Sequence, residues 1–183
     1  MKLFLDMDGV LVDWCKGAHN LHGVSWTPGV WPYPTGSEGW DWHKTIGMAD
    51  DELFTPMDSA FWANLDWMED GKRLLNLCEK YVGFHNICLL TSPHNLSLSV
   101  SGRMAWIRSN LPEYVNKVLF GVPKEMCASR NTILVDDYDK NINKWVDNNG
   151  IGLLLPRPWN SNGVFLDFVS AVDFLEYEIK ELI

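Results

Sequence analysis

Residues 2–11 read Lys-Leu-Phe-Leu-Asp-Met-Asp-Gly-Val-Leu, and the reading of the whole chain turns on them. Lys2–Leu5 is a short apolar run stopped at once by Asp6-Met7-Asp8-Gly9, the pattern of a buried strand ending in a turn. The pattern returns three times: Asn86–Leu90 ends at Thr91-Ser92-Pro93, Thr132–Val135 at Asp136-Asp137, and Ile151–Leu155 at Pro156. Lys117–Phe120 is a weaker strand. Runs without strict alternation suit strands buried on both faces. Between them Gly71–Tyr81, Val100–Asn110, Asp139–Asn148 and Phe165–Leu182 read as helices. Strands alternating with helices predict an α/β fold, a three-layer, Rossmann-like parallel sheet with helices on both faces.

Residues 20–68 break this rhythm. They are rich in Gly, Pro and aromatics, too apolar for a flexible linker and too long for a plain crossover. They predict a small, mainly helical cap inserted after the first strand, with amphipathic pieces at Asp50–Met57 and Ser59–Met68; residues 1–19 and 69–183 form the core. Seven of the ten tryptophans fall between positions 14 and 67 (Trp14, Trp26, Trp31, Trp40, Trp42, Trp62 and Trp67). Most should build the cap's own core, and one to three, Trp14 and Trp62 first, should line a pocket. His19 and His22 are expected to pack or face solvent rather than bind metal. Asp50-Asp51-Glu52 reads as the acidic first turn of a helix, and Asp139 as a helix cap.

A chain of 183 residues suits one domain, or one domain with an insertion. Asp6 interrupts the N-terminal apolar run, so no signal peptide is expected, and no run approaches the roughly 18 residues of a membrane span. A cytoplasmic protein without a membrane partner is the expectation. Cys15, Cys78, Cys88 and Cys127 form no C-x-x-C pair and read as reduced, mostly buried thiols rather than a zinc site. The net charge of −9 argues against a polynucleotide partner. It leaves room for a small anionic substrate, because a bound cation and local donors reverse the sign inside one pocket.

In open parallel sheets ligands gather beyond the carboxyl ends of the strands. Those ends carry Asp6 and Asp8, Thr91 and Ser92, and Asp136 and Asp137, so two acidic clusters and one hydroxyl cluster should converge on one edge. Four carboxylates together repel unless a cation lies among them, and a hard ion such as Mg²⁺, shared with a substrate phosphate, meets that need. An ionised Asp6 could then attack phosphorus and form an aspartyl-phosphate, with Asp8 as general acid and base. Thr91 and Ser92 offer donors to the phosphoryl oxygens, and Lys124, or else Arg103, the balancing positive charge. Each fragment alone is commonly a turn or a cap. Their joint placement at three strand ends carries the reading.

These residues resemble the haloacid-dehalogenase-like phosphatase superfamily. Asp6–Leu11 is similar to its first motif, Leu90-Thr91-Ser92 to its second, Lys124 to its third and Val135-Asp136-Asp137 to its fourth. The resemblance implies Mg²⁺ held by Asp6, the backbone carbonyl of Asp8 and Asp136, with Asp137 assisting. Within the superfamily the chain looks most like the type C 5′(3′)-deoxyribonucleotidases, through Asp6–Trp14, Phe61-Trp62, Leu90–Pro93, Met104–Ile107 and Leu134–Asp137. That likeness implies a deoxynucleoside monophosphate as substrate, its base held among cap aromatics; Trp14, Phe61 and Trp62 fall where that family places them. His94 follows the Thr-Ser-Pro turn and is a further substrate contact. The chain departs from the pattern at Val122, at His94-Asn95, and at Arg103, where a lysine is common. Three other readings stay open: a phosphatase for another small phosphoester, a response-regulator-like domain, and a catalytically silent nucleotide-binding protein. A homodimer is compatible with all of them.

Overall fold

The computed structural model describes residues 1–94, 96–121 and 123–183; Asn95 and Val122, two of the departures just named, lie outside the described residues. Five strands are described, β1 (Lys2–Leu5), β2 (Ile87–Thr91), β3 (Val118–Phe120), β4 (Thr132–Asp136) and β5 (Ile151–Leu154), all parallel in the order β3-β2-β1-β4-β5. β1 is central: Leu3 lies opposite Ile87 on one side and Ile133 on the other, and Leu5 opposite Leu89 and Val135. Of these six side chains, five are wholly buried and Ile87 is nearly so, which is why the strands read as unbroken apolar runs. After β1 the chain builds β2 and β3 to one side, then crosses to β4 and β5 on the other. The switch point lies between β1 and β4, where a crevice is expected.

Helices cover both faces: α1 (Trp14–Leu21), α2 (Trp42–Thr45), α3 (Asp50–Phe54), α4 (Ser59–Ala63), α5 (Gly71–Val82), α6 (Leu96–Asn110), α7 (Asp139–Asp147) and α8 (Ala171–Leu182). None of them is long and apolar enough to cross a membrane. The predicted helix over Phe165–Leu182 divides in two. Asn160 caps a 3₁₀ turn at Ser161–Asp167, and Ser170 caps α8 by accepting from the Asp173 N–H at 3.2 Å, so two start signals stand where one helix was expected. Asp139 is not a cap. Tyr138 holds the N-cap position, and Asp139 opens α7 with its carboxylate turned away to accept from Ser161.

The segment 20–68 holds short helices. α3 begins with the acidic turn Asp50-Asp51-Glu52 and stops before Pro56; α4 starts at the Asp58 carboxylate, which accepts from Phe61 N at 2.8 Å, and ends five residues earlier than the Ser59–Met68 expectation. Trp42, Leu53, Met57 and Trp62 share one buried cluster with Leu3, Leu5 and Leu89 of the sheet. His19 is buried there, stacked on Trp42 at 3.9 Å and bonded to the Cys15 carbonyl and the Tyr33 hydroxyl; His22 bonds the Leu53 carbonyl. Both histidines have packing roles. All four cysteines are free thiols, Cys15 and Cys78 buried.

α4 rides directly on α6. A Cβ at Gly102 would stand 2.4 Å from the Ser59 carbonyl oxygen and 2.5 Å from Trp62 Cβ, so only glycine admits this approach. Gly102→Ala is therefore expected to destabilise the fold by about 1–3 kcal/mol, the usual cost of overpacking. A thermal melt should show the midpoint lowered by roughly 2–4 °C for each of those kcal/mol.

Candidate active site

Asp6 follows β1, its backbone N–H bonded to the Val135 carbonyl of the neighbouring strand at 3.0 Å. Asp136 ends that strand and Asp137 follows it. Lys124, in a 3₁₀ turn beyond β3, places its Nζ 2.8 Å from Asp6 Oδ1 and 2.6 Å from Asp136 Oδ2. All four side chains are buried. Asp6, Asp136 and Asp137 each offer one carboxylate oxygen, and the three oxygens lie within 4.8 Å of one another. Burial pushes the Asp6 carboxyl up to about 7; Lys124 pulls against it, while Asp136 and Asp8 add to the rise. Burial likewise holds Asp137 well above the usual carboxylate range, helped by Asp136 and Asp6. Burial alone would lower the Lys124 ammonium, but Asp136 and Asp6 outweigh it and hold the group above its ordinary value. One ammonium faces three carboxyls, so their ionisation would leave an excess of negative charge. An all-oxygen donor set of this kind fits a hard divalent cation.

The turn after Asp6 is tight, with the Met7 carbonyl accepting from the N–H groups of Val10, Leu11 and Val12. Gly9 has φ +73°, and a Cβ there would fall 2.0 Å from Asp137 Oδ2. Backbone and space both demand glycine, which explains its place in the Asp-x-Asp-Gly motif. Asp8 keeps a quarter of its side chain exposed and is ion-paired with Arg103 of α6, whose guanidinium lies 3.8 Å over the Trp62 ring.

Four supporting residues were not anticipated. Arg157 is buried; its Nε donates to the Gly9 carbonyl at 2.7 Å, and its Nη1 and Nη2 grip the Asp70 carboxylate at 2.7 and 2.9 Å. Trp159 Nε1 donates to Asp137 Oδ2 at 2.7 Å, and Asn160 Nδ2 to the Asp137 carbonyl at 2.8 Å. Asn141 of α7 donates to both oxygens of Asp136. The signal for the first three was the end of β5, where Arg157-Pro158-Trp159-Asn160 follows another apolar run. Replacing Arg157 by Met strands the Asp70 carboxylate and the Gly9 carbonyl. The expected loss is about 3 kcal/mol, at the low end for broken buried pairs because Asp70 retains some water. A urea titration measures it.

A cavity of about 420 Å³ opens from these carboxylates, lined by Asp6, Asp8, Ser92, Arg103, Lys124 and Asp137 at one end and by aromatic rings elsewhere. Trp14, Trp40, Trp42 and Trp62 all line it, four rather than one to three, and of the seven N-terminal tryptophans just Trp42 and Trp62 are buried. His94 lines it too, stacked on Phe54 at 3.8 Å; Trp40 stacks on Tyr138 at the same separation. Phe61 does not reach it. Neighbouring residues on a helix point about 100° apart, so Trp62 faces the cavity and Phe61 turns toward Gly17 and Leu65. Thr91 is fully buried as the last residue of β2, leaving Ser92 as the cavity-lining member of that pair.

A family model described as "5′ nucleotidase, deoxy (Pyrimidine), cytosolic type C protein" matches residues 1–178. No curated protein gives a significant match. Among solved structures, a haloacid dehalogenase-like family hydrolase from Streptococcus pneumoniae superposes with a TM-score of 0.54 at 13% identity, covering 97% of each chain. A hydrolase from Pseudomonas syringae gives a TM-score of 0.46 at 11% identity over 83% of this chain and 82% of that one. At 13% identity the first of these shares the fold.

Proposed function

Because this chain belongs to the cytosolic type C 5′ nucleotidase family and is a haloacid-dehalogenase-like hydrolase, we propose that it cleaves nucleoside monophosphates, deoxynucleotides among them, through an aspartyl-phosphate on Asp6. The observation that carries this is the placement of Asp6. Its carboxylate sits at the carboxyl end of the central strand, 2.8 Å from the Lys124 ammonium, at the charged end of an aromatic cavity.

An Asp6 oxygen attacks phosphorus while the bond from phosphorus to the leaving oxygen breaks, and Asp8 gives that oxygen its proton. Asp8 then takes a proton from water, the water oxygen attacks the phosphoryl group, and Asp6 is released with inorganic phosphate. Lys124 and Ser92 bind the phosphoryl oxygens, with Thr91 shaping the turn that presents Ser92. Residues 20–68 act as a cap over the core formed by 1–19 and 69–183, and Trp14, Trp62 and His94 hold the leaving group. Asp6, the Asp8 carbonyl, Asp136 and Asp137 would hold Mg²⁺; when bound, the ion neutralises charge on the phosphoryl oxygens.

The cation has a signature apart from activity. A carboxyl raised from 3.8 to about 7 on folding binds its proton more tightly in the native chain, so stability without the ion falls as pH rises through that window. A cation replaces the proton, and its benefit is therefore greatest above pH 7. At a hundredfold excess over Kd, Mg²⁺ is expected to stabilise the fold at pH 7.5 by about 2.7 kcal/mol, and by clearly less at pH 5. Thermal melts at the two pH values, with and without the ion, measure the difference. Phosphate release from a panel of nucleotides and sugar phosphates tests the substrate class. A preference for sugar phosphates would remove the nucleotide assignment.

A further inference from the structure

Among the described residues seven buried polar side-chain atoms have no hydrogen-bond partner, and six of them belong to residues lining the cavity: Asp8 Oδ1, Trp14 Nε1, Trp42 Nε1, His43 Nδ1, and Nε and Nη1 of Arg103. Native interiors leave few such atoms, because each has given up water without gaining a partner. Their concentration around one cavity marks hydrogen-bonding capacity that a ligand would meet. Asp8 and Arg103 already belong to the proposed chemistry. Trp14 belongs to the wall that holds the leaving group; Trp42 and His43 have no role there, and the three are neighbours: the Trp42 ring centre lies 6.5 Å from that of Trp14 and 6.0 Å from that of His43.

Chemistry distinguishes the three atoms. An indole N–H can only donate. His43 is buried, and its Nε2 is 2.7 Å from Asp50 Oδ1. A carboxylate oxygen accepts and never donates, so the hydrogen shared with Asp50 sits on Nε2, and the imidazole tautomer this contact selects carries its lone pair on Nδ1. His43 thus supplies an acceptor beside two donors.

We propose that His43, its tautomer fixed by Asp50, is a specificity-determining residue that accepts a hydrogen bond from an N–H or O–H of the substrate's leaving group, alongside the indole donors of Trp14 and Trp42. The inference rests on the phosphatase reading above and adds the residue that reads a donor on the leaving group. A site built around a buried acceptor rejects an analogue that lacks the matching hydrogen.

The test compares phosphate release from thymidine 5′-monophosphate and its N3-methyl derivative, in which a methyl group replaces the one N–H hydrogen of the base. The unaltered chain is expected to favour the first by about 10- to 100-fold in kcat/KM, the penalty for leaving a buried polar atom unmatched. His43→Phe, which keeps a ring but no acceptor, is expected to bring the ratio within about twofold of unity. His43→Asn, whose side-chain oxygen can stand in for Nδ1, is expected to retain a preference of at least about fivefold. Equal rates for the two esters in the unaltered chain, a preference that survives His43→Phe, or its loss in His43→Asn would overturn the inference and leave the phosphatase reading standing. Failure to hydrolyse either ester, or p-nitrophenyl phosphate, would overturn both.

Discussion

Asp6→Asn is expected to lower kcat by at least about ten-thousandfold, because the group proposed to bond to phosphorus is lost and its amide cannot replace it. The fold should not suffer. Burial already drives the Asp6 carboxyl up to about 7, so the interior favours an uncharged side chain at this position, and asparagine is nearly its isostere. Without a divalent cation at pH 7.5 the variant should melt no lower than the parent. Phosphate release and a thermal melt on one preparation separate the two effects. Turnover above about one per cent of the parent would remove Asp6 as nucleophile.

The second large effect lies at Asp8, two residues along and in a different environment. Asp6 is buried with Lys124, whereas Asp8 keeps a quarter of its side chain exposed and is paired with Arg103. Asp8→Asn is expected to slow turnover at least about a hundredfold, the low end of general acid–base contributions. The loss should depend on the leaving group. p-Nitrophenolate departs without a proton, so the first half-reaction survives with p-nitrophenyl phosphate and the variant should release one equivalent in a burst, then stall. Near-normal steady turnover would take Asp8 out of its role. A slow reaction with no burst would confine that role to the first step.

Most of the architecture was legible because its signals are local. Each predicted strand lies within one residue of its place, since an apolar run that stops at Asp, Thr or Pro records burial on both faces and then a turn. Asp6, Asp8, Lys124, Asp136 and Asp137 were legible for a related reason: strand ends in a parallel sheet share one edge. What escaped was long-range. Arg157 meets the Gly9 carbonyl 148 residues away, and no local pattern announces such a partner. Phe61 and Trp62 were grouped by sequence, but the helix splits adjacent side chains between the cavity and the opposite face. The tryptophans were undercounted in the cavity because a ring can pack and line a wall at once.

The tie between Arg157 and the Gly9 turn also sets an order of events. A ribosome delivers Asp6 and Gly9 well before Arg157, Trp159 and Asn160. Until those arrive the turn after the central strand has no clamp, and Asp137 lacks the indole and amide that hold it. A nascent chain halted before residue 157 therefore carries Asp6, Asp8, Asp136 and Asp137 without the side chains that brace them. The support of the site follows its carboxylates in synthesis, with the loop after β5.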